Sequence, residues 1–189
     1  APYGPDEIDL QANLQRPSWR HPLGTDSLGR DILARIIYGA RVSMSIGLVS
    51  VGLALLLGVP VGAFAGYKGA WADRAIMRTV DVVLSFPTIL LAIIVITVLG
   101  PGLFKAMIAI GIAEVPVYAR LMRGAVLTVK GREFVEAARA CGGSERRLLW
   151  RHVLPNCLPP LIVQSALLFA SAILSAAYLG FLGLGAQPP

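Results

Sequence analysis

Charge is scarce in this chain. Only 15% of its 189 residues are Asp, Glu, Lys or Arg and 56% are hydrophobic, whereas soluble domains are about one quarter charged. Its mean hydropathy is +0.69, and its uninterrupted apolar runs are about 20 residues or longer, enough to cross a hydrocarbon layer of ~30 Å. These properties point to an integral membrane protein. Cysteine is nearly absent as well. Cys141 and Cys157 cannot build a disulfide framework and read as small buried thiols on a reducing side of the membrane. The two histidines, His21 and His152, have no Cys or carboxylate cluster at metal-ligand spacing, so no intrinsic metal site is expected. The chain also lacks G-x-x-x-x-G-K-[ST], G-x-S-x-G and H-E-x-x-H. No catalytic residue, phosphate-cradling loop or cofactor of its own is therefore expected, and any energy must come from another subunit.

The net charge of +6 is unevenly distributed. Residues 1–41 carry five Arg against Asp6, Glu7, Asp9, Asp26 and Asp31, whereas residues 120–151 carry eight basic side chains against Glu133, Glu136 and Glu145. An excess confined to one loop between membrane spans marks that loop as cytoplasmic. It has no interleaved aromatic surface, which argues against nucleic-acid binding. Residues 67–78, with Lys68, Arg74 and Arg78 against Asp73, read as a second cytoplasmic loop.

Taken in order, residues 1–23 are Pro-rich and aperiodic and read as an extended segment outside the membrane. A helix start is expected at Thr25, Asp26 or Ser27. Leu28, Ile32, Leu33, Ile36 and Ile37 then follow at helical spacing as an interfacial amphipathic helix, completing an extracytoplasmic segment over residues 1–41. Residues 42–189 read as an all-α polytopic membrane core with spans at about 42–66, 75–99, 103–127 and 159–182. No period-two alternation supports strands. Gly58, Gly62 and Gly66 recur every fourth residue and predict a face for close helix packing. Glu114, mid-span, and Gln164 are candidates for a translocation path, since an ionisable group in a span is costly without water or a partner. Asp81 is expected to pair with Arg78 or Arg120. With a cytoplasmic loop over residues 131–155, four spans place Ala1 and Pro189 on the outer side. The start at Ala1 and the end at Gln187-Pro188-Pro189, directly after an apolar span, lead to the expectation of a longer parent chain.

The polar interruption EFVEAARACGGSERRLLWRHVLP, residues 133–155, carries the most specific signal. Phe134, Ala138 and Cys141 are expected on one face of a short helix, with Glu133, Glu136 and Ala140 on another. Gly142-Gly143 permits a left-handed turn. Ser144 can then cap a second helix ending near Val153, before Pro155. Glu136-Ala137-Ala138, three residues, Gly142 and then Leu154-Pro155 resemble the EAA loop of bacterial ABC importer membrane subunits. HPLGTDSLGRD (21–31), GARVS (39–43), RHVLPN (151–156) and LGFLGLGAQPP (179–189) resemble the dipeptide/oligopeptide/nickel permease branch of that family.

The resemblance implies a type I importer transmembrane domain in the bacterial inner membrane. It would translocate di- or oligopeptides, or alternatively nickel or another small solute. A non-transporting scaffold or sensor that keeps the ATPase-docking loop is the alternative from another class. The implied partners are a homologous second permease, two cytoplasmic ATPases carrying ATP and Mg, an extracytoplasmic substrate-binding protein and membrane lipid. Glu133, Glu136, Ala137, Ala138, Gly142 and Gly143 would form the ATPase-coupling helix and its turn. The branch usually has six spans, so one is expected before and one after this segment. His152 replaces the Ile common two residues before the Leu-Pro pair, a substitution familiar in the peptide branch.

Overall fold

The computed structural model describes residues 3–185; the terminal GAQPP of the resembling stretch lies, apart from Gly185, outside them. Among the described residues there are helices and turns but no strand, with a single isolated bridge between Thr25 and Asp31. The chain divides into two compact units, residues 1–45 and 46–189.

The first unit is more ordered than an extended segment. A short 3-10 turn, Leu10–Ala12, is capped by Asp9, whose carboxylate accepts the Gln11 N–H at 3.0 Å. The Thr25 hydroxyl donates to the Ala12 carbonyl and accepts the Gln15 N–H at 2.8 Å, sewing the turn to the following loop. Asp26 gathers the loop by accepting the N–H groups of Leu28 and Arg30 at 2.8 and 3.0 Å and the guanidinium groups of Arg30 and Arg35, each at 2.8 Å. Burial pushes its carboxyl upward, but these hydrogen bonds and the charge of Arg30 prevail and hold it far below the usual carboxylate range.

The expected helix start at residues 25–27 is corrected, because Asp26 closes this loop instead. Gly29, at φ +74°, then turns the chain. Asp31 is the actual cap, its carboxylate accepting the Ala34 N–H at 2.6 Å and lying 2.8 Å from His21 Nδ1.

Helix α1, Ile32–Lys68, is continuous, so the predicted division into an interfacial helix and a separate span is not observed. No residue between 32 and 68 is a strong enough breaker, and Pro60 is absorbed within the helix. Its 37 residues extend about 55 Å at 1.5 Å per residue.

The expected single span over 75–99 is two helices, α2 (Ala70–Leu84) and α3 (Thr88–Leu99), bent by 90°. Pro87 is responsible: it lacks an N–H and disfavours helical backbone at Phe86. The Ser85 hydroxyl closes α2 on the Val82 carbonyl at 2.6 Å, and the Pro87 carbonyl opens α3 by accepting the Leu90 N–H at 2.9 Å.

Helix α4, Leu103–Lys130, is the hub of the second unit. Ala109, Ala113, Tyr118, Met122 and Val126 are buried along it. It packs against α2, α3 and the last helix. It holds Lys105, Glu114, Arg120, Arg123 and Lys130. By length and apolarity, α1 and the helix at 145–181 can cross a membrane, and α2 with α3 would make a third crossing. The expected span over residues 103–127 falls on α4, which is less apolar than these helices because of its five charged side chains; two of them are paired, Arg120 with Asp81 and Arg123 with Asp73.

Candidate functional site

The seam between α1 and α4 sets the frame for the polar stretch. A Cβ added at Gly58 would lie 2.7 Å from the Val115 carbonyl oxygen, at Gly62 2.1 Å from that of Ala119, and at Gly66 2.9 Å from that of Arg123. The matching positions ascend together, so the helices run parallel with their backbones in contact. The seam is reciprocal, for a Cβ at Gly111 would meet the Ser50 carbonyl oxygen at 2.9 Å, and the buried Ser50 hydroxyl donates to the Met107 carbonyl at 3.0 Å. Lys130 closes its lower end by donating to the Gly66 carbonyl at 2.9 Å. On the other side of α4, Arg123 grips Asp73 with two hydrogen bonds of 2.8 and 2.6 Å, and Arg120 pairs with Asp81.

Beyond Lys130 the chain turns at Gly131-Arg132 into α5, Glu133–Ala140. The anchor of α5 is Val135, which is 0% exposed and shares a core cluster with Val129 of α4 and with Val153 and Cys157 further on. Of the face expected to hold Phe134, Ala138 and Cys141, Phe134 and Cys141 are exposed and Ala138 is half-buried, so it is not the side that anchors the helix. An eight-residue helix has too few turns for periodicity to choose between Val135 and Phe134. Packing of Val135 against Val129, Val153 and Cys157 sets its rotation instead.

That rotation leaves Glu133, Glu136 and Ala137 exposed on one face, and neither carboxylate has a hydrogen-bond or ion-pair partner among the described residues. Two acidic groups in the first turn also suit the positive end of the helix dipole. The C-terminus closes as a Schellman motif, with the Gly143 N–H bonding Ala138 O at 3.1 Å and the Gly142 N–H bonding Arg139 O at 2.9 Å. Gly142 has φ +81°. A Cβ at Gly143 would approach Ala138 O to 2.7 Å.

Ser144 then caps the next helix, accepting the Arg147 N–H at 3.4 Å. Instead of the expected second helix ending near Val153, α6 (Glu145–Arg147), a π turn (Leu148–Val153), a 3-10 turn (Leu154–Cys157) and α7 (Leu158–Phe181) form one helix over residues 145–181. The changes of winding absorb Pro155, Pro159 and Pro160, which have no N–H to give. The Asn156 side-chain amide spans the transition by donating to His152 O at 2.7 Å.

Two residues that did not stand out in the sequence tie this region to α1. The Tyr67 hydroxyl donates to the Glu145 carboxylate and lies 2.9 Å from the Glu145 carbonyl oxygen, and Arg139 of α5 lies 3.4 Å from the same carboxylate. Glu145 thus meets the end of α1 and the end of α5 at the start of the last helix. Local pattern offers no signal for a contact spanning 78 residues.

Glu114 on α4 and Gln164 on α7 are both half-buried, and neither side chain makes a hydrogen bond or ion pair among the described residues. Their neighbours do join: Tyr118 donates to Ser165 Oγ at 3.0 Å, and the Ser165 hydroxyl donates in turn to Leu161 O at 2.8 Å. A separate groove of about 400 Å³ runs along Arg120, Gly124, Thr128, Arg132 and Asn156 and includes neither candidate. No group of three or more His, Cys, Asp or Glu among the described residues could hold a metal ion.

Comparison with known proteins gives this geometry its context. Residues 58–189, more than half of the chain, match the family described as binding-protein-dependent transport system inner membrane component. The chain is 51% identical over 183 residues to a dipeptide transport system permease protein of Alkalihalophilus pseudofirmus, covering 97% of this chain and 60% of the relative. It is 50% identical over 195 residues to a di/tripeptide transport system permease protein of Pseudomonas aeruginosa, covering 100% of this chain and 64% of that one. A probable D,D-dipeptide transport system permease protein of Escherichia coli is 47% identical, with 100% and 63% covered. The chain thus spans less than two thirds of the length of these relatives. Its fold resembles a chain of the MetNI methionine ABC transporter in an inward-facing conformation, with TM-score 0.69 at 24% identity over 80% of this chain and 76% of that one. Family match, near-complete coverage by permease relatives and the shared helical fold agree: the chain belongs to the family of binding-protein-dependent transport system inner membrane components.

Proposed function

We propose that the chain is the membrane-spanning core of a peptide importer subunit in the bacterial inner membrane, driven by ATP hydrolysed, with Mg, on separate ATPase subunits. The observation that carries this reading is the construction of α5. Its acidic face, Glu133 and Glu136, is exposed and unpaired, while its opposite side is locked by Val135 into the same core as α4 and the last helix. Such a helix presents charge to a partner and is too well anchored to move without moving what it is anchored to. Ala137 permits close approach beside the two carboxylates.

Closure of the ATPases displaces α5 as a lever. The motion passes through Val135 to α4, through Glu145 to α1, and along the continuous helix at 145–181. The membrane helices then alternate between outward and inward access, with a homologous second permease completing the path and an extracytoplasmic binding protein delivering substrate. Peptide is favoured as cargo because relatives matching at about half identity are named for dipeptide and tripeptide transport.

The test is reconstitution of the full-length subunit with its permease and ATPase partners. Glu136→Ala combined with Gly142→Ala should reduce ATPase association and substrate-stimulated ATP hydrolysis without altering thermal stability of the isolated subunit beyond the effect of Gly142→Ala alone. Intact coupling in that double variant would sink the assignment. ATPase binding without peptide uptake by the unaltered protein would instead indicate a scaffold.

A further inference from the structure

The basic face of the helix start after α5 takes no part in the lever described above. Arg147, Trp150 and Arg151 stand at i, i+3 and i+4, and Arg146 stands one turn before Trp150, so they share one side of the helix. With Ser144 they line an open groove of about 400 Å³. All three arginines are exposed, and none has an ion-pair partner among the described residues. The one acid in the segment, Glu145, is occupied by Tyr67 and Arg139. In the same groove Trp150 is 66% exposed.

Three unpaired guanidinium groups around an exposed indole suit an occupant that is both anionic and partly apolar. The chain itself says where that occupant lies. This helix continues without a break into the apolar segment from Leu158 to Phe181 and is long and apolar enough as a whole to cross a membrane. Arg151 precedes Leu158 by about 10 Å along the axis at 1.5 Å per residue. The polar headgroup layer adds about 5–8 Å on each side of the hydrocarbon, so Arg151 stands at its outer edge with Trp150 beside it, where Trp rings and guanidinium groups meet lipid headgroups. A docked protein would provide carboxylates but would leave the indole at the membrane boundary unexplained.

We propose that Arg146, Arg147, Trp150 and Arg151 form a binding site for the phosphate of an anionic phospholipid, with the Trp150 ring lying against its glycerol and upper acyl region. The site fixes the depth of the last helix where it enters the bilayer. It needs neither ATP nor transport, so its failure and that of the importer reading are separable.

The experiment uses the full-length subunit in a background where every tryptophan other than Trp150, Trp19 and Trp71 among them, is changed to Phe. It is placed in nanodiscs of phosphatidylcholine containing brominated phosphatidylglycerol, or brominated phosphatidylcholine at the same fraction. Trp150 should be quenched at least tenfold more efficiently by the anionic lipid. Each arginine changed singly to Gln should lower that preference about fivefold, the effect of one cation near an anionic surface. Arg146→Gln, Arg147→Gln and Arg151→Gln together should abolish it. The Lys variants should retain part of it, because they keep the charge but lose the planar two-pronged donor. If the triple Gln variant fails to fold, the single variants carry the test. Equal quenching by the two lipids would overturn the proposal, as would displacement of phosphatidylglycerol by millimolar inorganic phosphate. A triple variant that keeps its lipid preference but loses ATPase association would overturn it too, by assigning the face to a protein.

Discussion

Replacing Gly62 with alanine is the sharpest test of how α1 and α4 meet. The added methyl would lie 2.1 Å from the Ala119 carbonyl oxygen and 2.9 Å from Met122 Cβ. The first of these is backbone and cannot swing aside. Restoring an ordinary contact at 3.4 Å requires the helices to separate locally by about 1.3 Å, which loosens the packing of Tyr118, Met122 and Val126 on both sides. Overpacking of this kind costs about 1–3 kcal/mol, and rigid backbone on the far side puts Gly62→Ala near 3. Against this, Gly to Ala inside a helix gains about 1 kcal/mol, leaving a net loss of about 2 kcal/mol. At 2–4 °C per kcal/mol for a chain of this size, Tm should fall by roughly 4–8 °C. Gly52 supplies the internal control: it lies in the same helix with nothing within 4 Å of an added Cβ, so Gly52→Ala should gain about 1 kcal/mol. Thermal unfolding of the purified protein in detergent, followed by far-UV circular dichroism, reads both. Opposite signs are required. A Gly62→Ala protein as stable as Gly52→Ala would refute the parallel glycine seam.

Val135→Ala should destabilise the protein by about 2 kcal/mol, the loss of two buried carbons plus a small cavity, and should lower ATPase association without touching the exposed carboxylates; a pull-down beside a melting curve checks both. Tyr67→Phe removes the hydroxyl that meets Glu145 and should leave ATPase binding intact while reducing peptide moved per ATP hydrolysed. Unchanged stoichiometry in proteoliposomes would remove Glu145 from the transmission path. For the first unit, burial pushes the Asp31 carboxyl upward, but the Ala34 N–H and the His21 ring bonded to it outweigh burial and hold it below its ordinary value of 3.8. A depressed folded value means this contribution is complete above that ordinary value and is lost as pH falls through the lower folded one. Hydrogen exchange at the Ala34 amide should therefore lose protection on acidification, and Asp31→Asn should flatten that dependence.

Much of the architecture is legible without coordinates because membrane helices are written in local pattern. Long apolar runs, Gly142 and the Ser144 cap each act within a few residues of themselves. The four-residue glycine spacing likewise identifies a packing face. Where the structure differs, the choice lies between two local arrangements that residue type alone does not separate. Asp26 reads as a helix cap but is drawn into a loop by Arg30 and Arg35, so the cap passes to Asp31. Pro155 reads as a terminator, yet a π turn followed by a 3-10 turn carries the helix through it.

Sequence alone determined that the chain is helical, apolar enough for a membrane, basic in one loop and without a phosphate-binding loop, because composition and short-range spacing set those properties. Tertiary structure decided which side of α5 is anchored, that Arg120 and Arg123 of α4 pair with Asp81 and Asp73, and that Tyr67 and Glu145 meet across 78 residues. Each depends on how helices rotate against one another, and rotation is set by the surfaces that meet rather than by any one helix.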